Sequence, residues 1–272
     1  MARFFAINGM NPRASPGSKI LRLRRRVLTQ QGTHPAPTSV GDKDLFQVWK
    51  KSSLMPPFNL KFFADKLHRM QSTVFFVQIG AMDGKTHDPI YDLVRSYGWR
   101  GILVEPMKDH FEKLKRNYAG CEGLIFENLA ISEHAGTNIM YRIPTQTVHD
   151  KKLPEWGLQA SSFFPDRNAL GWDDIKPHVI QETVTCLRLP DLLEKHHVQD
   201  VHVLQLDAEG YDYRILRQLD FTRFKPYVIN LEIVNMTRSE LGHCKQFLDK
   251  HQYLYSKTGY DLLAISLPLM GL

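Results

Sequence analysis

Phe75-Phe76-Val77-Gln78-Ile79-Gly80-Ala81-Met82-Asp83-Gly84 is the stretch whose reading decides the fold. A short apolar run, too brief for a core helix and bounded by glycine, reads as a strand buried on both faces of a parallel sheet. Gly80 and Gly84 then let the backbone turn tightly and approach a ligand at the carboxyl edge, where open α/β sheets bind their cofactors. The spacing is GxxxG. It lacks the GxGxxG arrangement that seats a pyrophosphate on a helix N-terminus, so by itself the turn also suits a purely structural corner.

Outward from this turn, short apolar runs alternate with amphipathic stretches. Strands are expected at 74–80, 101–105, 124–130, 201–207 and 227–233, and helices at 88–97, 108–119, 211–219 and 237–251. That alternation is the sign of βαβ units and a parallel sheet. Two last strands, near 253–257 and 261–266, flank Lys257-Thr258-Gly259-Tyr260, a tight turn that makes them an antiparallel pair. Upstream, Phe62, Phe63, Leu67 and Met70 follow helical spacing and predict a helix over 59–71 that covers the sheet. The expected organisation is an arm over 1–40, leading helices over 41–73, and one domain over 74–272. Within that domain, 144–181 carries Pro144, Pro154, Pro165 and Pro177 among Trp156, Phe163, Phe164 and Trp172. A connection of that length is a lid or an insertion, with Phe163 or Phe164 expected to line an acceptor pocket.

The charge is unevenly placed. The 272 residues carry a net +6, from 35 Lys and Arg against 29 Asp and Glu. Residues 1–40 hold Arg3, Arg13, Lys19, Arg22, Arg24, Arg25 and Arg26 and no acidic residue; removing those seven leaves 28 basic against 29 acidic residues. A nearly neutral body argues against a phosphate-tracking face and so against nucleic acid. The arm is left for weak membrane or partner docking. Hydropathy offers no run of the length a transmembrane helix needs. Cys121, Cys186 and Cys244 form no CxxC pair, which points away from disulfides and structural zinc and toward a reducing compartment. The cytoplasm is expected, with the mitochondrion as the alternative that the Arg-rich, acid-free start allows.

Two further blocks carry chemistry. Glu105-Pro106 ends the second strand, where a carboxylate beside the glycine turn can accept from both hydroxyls of a ribose. Its loss is expected to weaken binding with little effect on the fold. Together the turn and Glu105 indicate an adenosyl ligand without choosing between NAD and S-adenosylmethionine. Leu204-Gln205-Leu206-Asp207-Ala208-Glu209-Gly210 places two acids at the mouth of the fourth strand, where a carboxylate can face a sulfonium cation or hold an acceptor hydroxyl. An Asp there also serves as a helix cap. The ranked candidates for a general base are Asp207, Glu232 at the fifth strand end, and His87. No metal is expected; if Mg²⁺ orients a diol, Asp207 and Glu232 are its oxygen ligands.

These blocks, taken in order, resemble the FkbM family of methyltransferases. The resemblance runs from about Val74 to Ile265 through Ile79 to Gly84, Leu103-Val104-Glu105-Pro106, Asn128-Leu129-Ala130 with Gly136 after it, Gln205 to Tyr211, and Pro226 to Glu232. It implies an α/β class I methyltransferase fold, mostly parallel with a C-terminal antiparallel hairpin. It also implies S-adenosylmethionine as cofactor and methylation of a hydroxyl on a sugar, glycolipid or other natural product. Carried over, Gly80, Ala81 and Gly84 would line the methionine portion, Glu105 the ribose, and Asn128 and Ala130 the adenine. The same blocks add Asp83 and Pro106 to the cofactor set. Asp207 and Glu209 correspond to the acidic signature near the reaction centre, which Glu232 completes as a catalytic candidate. The sequence departs from the family at Gln78, where Asp is common, and at Met82, where Asn is usual. A nicotinamide oxidoreductase accounts for the turn and Glu105 but leaves the Asp207 block and the closing hairpin unexplained. A noncatalytic adaptor is opposed by the intact acidic positions.

Overall fold

Period-two alternation sorts the central strands onto two buried faces. In β1 (Phe75–Ile79), Val77 and Ile79 join one hydrophobic core while Phe76 joins another on the opposite face of the sheet. β2 (Arg100–Val104), β7 (Val203–Leu206) and β8 (Val228–Glu232) divide in the same way, as strands covered on both sides must. The structure, a computed structural model, describes residues 60–270. The basic arm of 1–40 and the leading residues up to 59 lie outside the described residues.

Seven strands form the main sheet in the order β3 (Leu124–Glu127), β2, β1, β7, β8, β10 (Asp261–Ser266), β9 (Tyr253–Thr258). β3, β2, β1, β7 and β8 are parallel, and β10 runs antiparallel to both β8 and β9. Thr258 pairs with Asp261, which leaves Gly259-Tyr260 as a two-residue turn, and Gly259 at φ 65° supplies the left-handed corner. Because the strand order reverses between β1 and β7, a crevice opens at their carboxyl ends.

Helices follow the expected alternation. α1 (Leu60–Met70) buries Leu60, Phe63, Ala64 and Leu67, an i, i+3, i+4, i+7 set. Phe62 and Met70, expected on that face, are exposed, since Phe62 and Phe63 are about 100° apart on a helix and cannot share one stripe. α2 (Tyr91–Tyr97) is shorter than expected: Asp88 Oδ1 accepts from Ile90 N–H at 2.6 Å and Tyr91 N–H at 3.3 Å, so Asp88 closes the start of the helix from outside it. α3 (Lys108–Asn117) follows β2.

The stretch 124–130 is not one strand. It breaks after Glu127, and Ala130–Ile131 (β4) leaves to join β5 (Gly136–Arg142) and β6 (Ile180–Leu187) in a second sheet of order β4-β6-β5. Between β5 and β6 lie α4 (Thr145–Asp150) and three short 3₁₀ turns around a small core of Ile143, Val148, Ala160, Leu170 and Ile175. The proline-rich segment is thus an insertion with a core of its own. It is fastened to α3 by Arg142, whose buried guanidinium makes a bidentate pair with Asp109 at 2.6 and 2.8 Å. After β6, α5 (Leu189–Lys195), α6 (Asp212–Leu216) and α7 (Arg238–Lys250) complete the layers, α7 beginning with a Thr237/Glu240 capping box. Among the described residues no helix is long and apolar enough to cross a membrane.

Candidate active site

The glycine turn is built where three strand ends converge. Gly80 N–H and Ala81 N–H both donate to Val104 O at 3.0 Å, tying β1 to β2, and Asp207 N–H donates to Ile79 O at 3.0 Å, tying β7 to β1. Gly80 sits at φ 80°, and a Cβ built there would run into the carbonyl oxygen of Asp207. The position therefore needs glycine on two counts, and its bare backbone lines the cleft. Gly84 has a different duty. A Cβ there would meet Leu114 and Tyr118, so Gly84 lets α3 pack against the turn. Asp83 is spent locally, accepting from Lys85 N–H, Thr86 N–H and the Thr86 hydroxyl. Gly84, Asp83 and Ala81 support the loop without lining the cleft. His87, exposed at φ 57°, lies 3.3 Å from Gln159 Nε2 and bridges the turn to the insertion.

Glu105 is buried at 4% exposure on the cleft wall. Its Oε2 accepts from Met82 N–H and its Oε1 from Met107 N–H, both at 2.8 Å. The carboxylate clips the glycine turn to the start of α3, with lone pairs left on both oxygens for a ligand. Burial pushes it up to about 7, against the pull of the two amides. Asn128 serves as a brace: its amide donates to the backbone carbonyls of Glu105 and Pro106 at 2.9 and 3.0 Å and does not line the cleft. Glu105→Ala strands two backbone donors, each costing about 1–3 kcal/mol when buried, so it should lower the melting temperature as well as weaken S-adenosylhomocysteine binding. This corrects the expectation of a fold left nearly intact. Glu105→Gln, which keeps the shape, should weaken binding about tenfold with a smaller thermal loss; calorimetry and thermal denaturation on both variants separate the two duties, and unchanged affinity in both removes Glu105 from the ligand.

Asp207, Glu209 and Glu232 come together at the mouth of β7 and β8, with carboxylate oxygens within 4.8 Å of one another. Asp207 is exposed to the cleft and, among the described residues, accepts no side-chain hydrogen bond. Protein packed densely below it, with Glu209, Asp212, Asp261 and Glu105 nearby, raises its carboxyl far above the ordinary range even though solvent reaches it from the mouth. Burial and the charges of Asp207 and Glu209 push Glu232 up to about 10, and burial pushes Glu209 up to about 7. The cluster therefore holds fewer than three negative charges at neutral pH, sharing protons as a set. Its oxygens also have the spacing and chemistry of a hard-cation site. Neither Asp207 nor Glu209 caps the following helix, which has no side-chain cap; Asp212, its first residue, instead holds the preceding turn, accepting from Ala208 and Gly210 N–H at 3.1 and 3.2 Å.

The insertion closes onto this mouth. Glu209, at φ 49°, accepts at Oε2 from Asn168 Nδ2 at 2.9 Å and from Asn235 Nδ2 at 2.7 Å. Ser162 Oγ donates to the Glu209 carbonyl at 2.9 Å, and Arg167 Nη1 to the Gly210 carbonyl at 3.2 Å. Glu209 is thus committed as a latch for the insertion. Gln159, Ser161 and Phe163 reach the cleft; Phe164 instead lies under the Arg167 guanidinium, 3.8 Å from its ring centroid. Opposite in character to the acidic cluster, Val104, Leu129, Ile131 and Met140 give the cleft an apolar portion.

Of the expected residues, then, Gly80, Glu105, Pro106, Ala130, Asp207 and Glu209 line one cleft, and Glu232 joins it through the acidic cluster. Sequence reasoning missed His110 and Met140, which also line it. Met140 belongs to a strand whose outer half alternates weakly, and His110 lies on a helix face with no motif of its own.

A sheet whose last strand, β10, is inserted antiparallel between β8 and β9, with a glycine turn after β1 and an acid after β2, is the class I methyltransferase arrangement of a Rossmann-like fold. The model of the methyltransferase FkbM domain family matches residues 78–257, and the chain belongs to that family. No curated protein sequence matches it. Among solved structures it is similar to the methyltransferase FkbM of Methylobacillus flagellatus KT, at 12% identity and a TM-score of 0.44 over 71% of this chain and 43% of that one. It is also similar to the ribosomal protein L11 methylase of Lactobacillus delbrueckii subsp. bulgaricus, at 10% identity and a TM-score of 0.38 over 76% of this chain and 77% of that one. An RNA methyltransferase from Salinibacter ruber in complex with S-adenosyl-L-homocysteine is 11% identical, with a TM-score of 0.31 over 78% of this chain and 92% of that one. Membership in the FkbM methyltransferase family gives S-adenosylmethionine as the cofactor, which sets aside the nicotinamide alternative. The donor set fits it: bare backbone at Gly80, a buried carboxylate with free lone pairs at Glu105, and an apolar portion formed by Leu129, Ile131 and Met140.

Proposed function

We propose that this methyltransferase acts on a hydroxyl of a sugar, glycolipid or other natural product. One observation carries the reading. Asp207 presents a carboxylate with no side-chain hydrogen bond to the cleft, beside the bare backbone of Gly80. Bound S-adenosylmethionine supplies an electrophilic methyl group. An alcohol acceptor must also lose its proton, and a carboxylate whose proton affinity is raised is suited to take it. Asp207 is the most exposed of the three acids, and the cluster shares its protons as a set, so charge is available at the cleft without three bare carboxylates meeting there. Gly80, Glu105, Pro106 and Ala130 hold the cofactor, and the insertion excludes water and orients the acceptor.

Ser161 and Phe163 give the acceptor a hydroxyl and an apolar face, the mixture a carbohydrate-like or lipid-like ligand needs. Phe163→Ala should therefore raise the acceptor KM or lower kcat while S-adenosylhomocysteine affinity stays within about threefold. Phe164→Ala should instead cost stability through the loss of its ring contacts with the Arg167 and Arg214 guanidiniums. Steady-state kinetics beside thermal denaturation distinguishes them, and equal losses in both variants would make the segment scaffold alone. The acceptor class is tested by supplying isotopically methyl-labelled cofactor to extracts from cells with and without the gene. Label in a methyl ether of a glycan, lipid or metabolite supports the reading, and label confined to amines or nucleic acid overturns it.

A further inference from the structure

Asp207, Glu209 and Glu232 crowd three carboxyl groups together, and among the described residues none of them makes an ion pair, Arg167 and Arg214 both being taken by Glu240. One neutral side chain serves two of them. Asn235 Nδ2 donates to Glu209 Oε2 at 2.7 Å and to Glu232 Oε2 at 3.1 Å, so both of its amide hydrogens are spent on the acids. Chemistry fixes this orientation, since the amide turned over would aim its carbonyl oxygen at two carboxyl groups. Glu209 has a second donor in Asn168, and Glu232 has Asn235 alone among the described residues. Asp207 accepts from no side chain.

The loop between β8 and α7 is seated for this duty. Ile233 N–H donates to Tyr260 O at 2.9 Å, which joins the loop to the closing hairpin, and a Cβ on Gly210 would come within 2.8 Å of the Asn235 carbonyl oxygen. The bare backbone of Gly210 thus lets Asn235 stand beside the turn that carries Glu209. Carboxyl groups this close that lack a donor find relief in another way, by sharing a proton between two of them. Released from Asn235, Glu232 or Glu209 would turn to Asp207 and occupy the lone pairs on which the acceptor proton is to land. We propose that Asn235 is a positioning residue for methyl transfer, holding Glu209 and Glu232 to itself so that the Asp207 carboxylate stays free to face the acceptor hydroxyl and the sulfonium. The inference rests on the reading of Asp207 as the base given above.

The test uses Asn235→Ala, Asn235→Asp, which keeps the shape but loses the donors, and Asn235→Gln, which keeps both hydrogens one methylene further out. Two quantities are measured: the rate of label transfer from methyl-labelled S-adenosylmethionine into extract from cells lacking the gene, and the calorimetric affinities for S-adenosylmethionine and S-adenosylhomocysteine. In the Ala and Asp variants transfer should slow about tenfold or more, the size of one hydrogen bond to a charged partner. Affinity for S-adenosylhomocysteine should stay within about threefold, while affinity for the cationic S-adenosylmethionine relative to it falls about tenfold, because a carboxyl pair sharing a proton no longer offers Asp207 as a bare charge. Asn235→Gln should recover part of both. A packing role would survive in the isosteric Asp variant, so transfer within twofold of wild type there overturns the proposal, as does an unmoved ratio of the two affinities. Asn168→Ala frees the insertion from Glu209 and leaves Asn235 on both acids, so its affinity ratio should stay within twofold of wild type; an equal shift would assign the effect to the latch and overturn the proposal. If the wild type labels nothing in the extract, or the Ala variant fails to fold, the affinity ratio in the Asp and Gln variants decides. An Asp207→Asn protein that turns over normally removes the base reading and this inference together. Inactive Asp207→Asn beside unaffected Asn235 variants removes the inference alone.

Discussion

Asp207→Asn is expected to abolish measurable methyl transfer while leaving S-adenosylhomocysteine affinity within about threefold of wild type, because positioned general bases contribute about 10²–10⁴ in rate. The substitution keeps the volume and the backbone bond from Asp207 N–H to Ile79 O, so the meeting of β7 with β1 is preserved. What disappears is the carboxylate that faces the cleft. Removing one acid also relieves the crowding that raises Glu232, so the variant should melt no lower than wild type and should gain stability toward higher pH. The sign follows from linkage: carboxyls raised in the folded state bind protons that the unfolded chain has released, so their contribution is lost as pH climbs from about 4.5 through their folded values. Turnover within fivefold of wild type would remove Asp207 as the base. Loss of cofactor binding equal to the loss of rate would reassign it to holding the cofactor.

Gly80→Ala should have the largest structural effect of any single methyl group in the domain. At φ 80° an alanine is strained, and its Cβ would have to occupy the space of the Asp207 carbonyl oxygen. Left-handed strain of about 1–3 kcal/mol adds to an overpacking cost of about 1–3 kcal/mol. For a domain of this size the sum corresponds to roughly 10 °C in melting temperature. The only relief is to push β7 away from β1, which moves Asp207 itself, so cofactor binding and turnover should fall together. Circular dichroism melts and calorimetry on the soluble fraction measure both. A variant that melts within 2 °C of wild type and binds S-adenosylhomocysteine normally would show that the turn tolerates a side chain.

The centre of the main sheet was legible because β1, β2, β7 and β8 are dense apolar runs, too short for core helices. Its closing hairpin was legible from Gly259. The second sheet was not. β5 begins with four exposed residues, and β6 alternates threonine with valine and cysteine on a half-exposed ribbon, so neither reaches the apolar density of a buried strand. The break at Asn128 was hidden for a different reason. Leu129, Ala130 and Ile131 continue the apolar run of β3, and only the tertiary bonds from Asn128 to Glu105 and Pro106 show that the chain changes sheets there. In the site, the acids at strand ends could be placed from the sequence, since the end of a parallel strand is fixed by its pattern. Their division of labour could not. Glu209 as a latch and Gly84 as a loop support depend on partners far away in the sequence, whereas Asp83 and Phe164 meet residues two or three positions on through loop conformations that no periodicity encodes.

The placement of β10 bears on how the chain reaches this state. It is the last strand to be synthesised among the described residues, yet it sits between β8 and β9 and bonds to both. Until it is made, β8 presents a bare, apolar sheet edge and β9 has no neighbour, a condition in which unpaired strands invite association with other chains. The half of the crevice that carries Glu232 is therefore finished only after translation has passed Ser266. A nascent chain on the ribosome can assemble the β3-β2-β1-β7-β8 portion early but not the complete sheet. Proteolysis or premature termination anywhere in the final hairpin would expose an edge strand beside the acidic cluster, turning a local defect into an aggregation hazard.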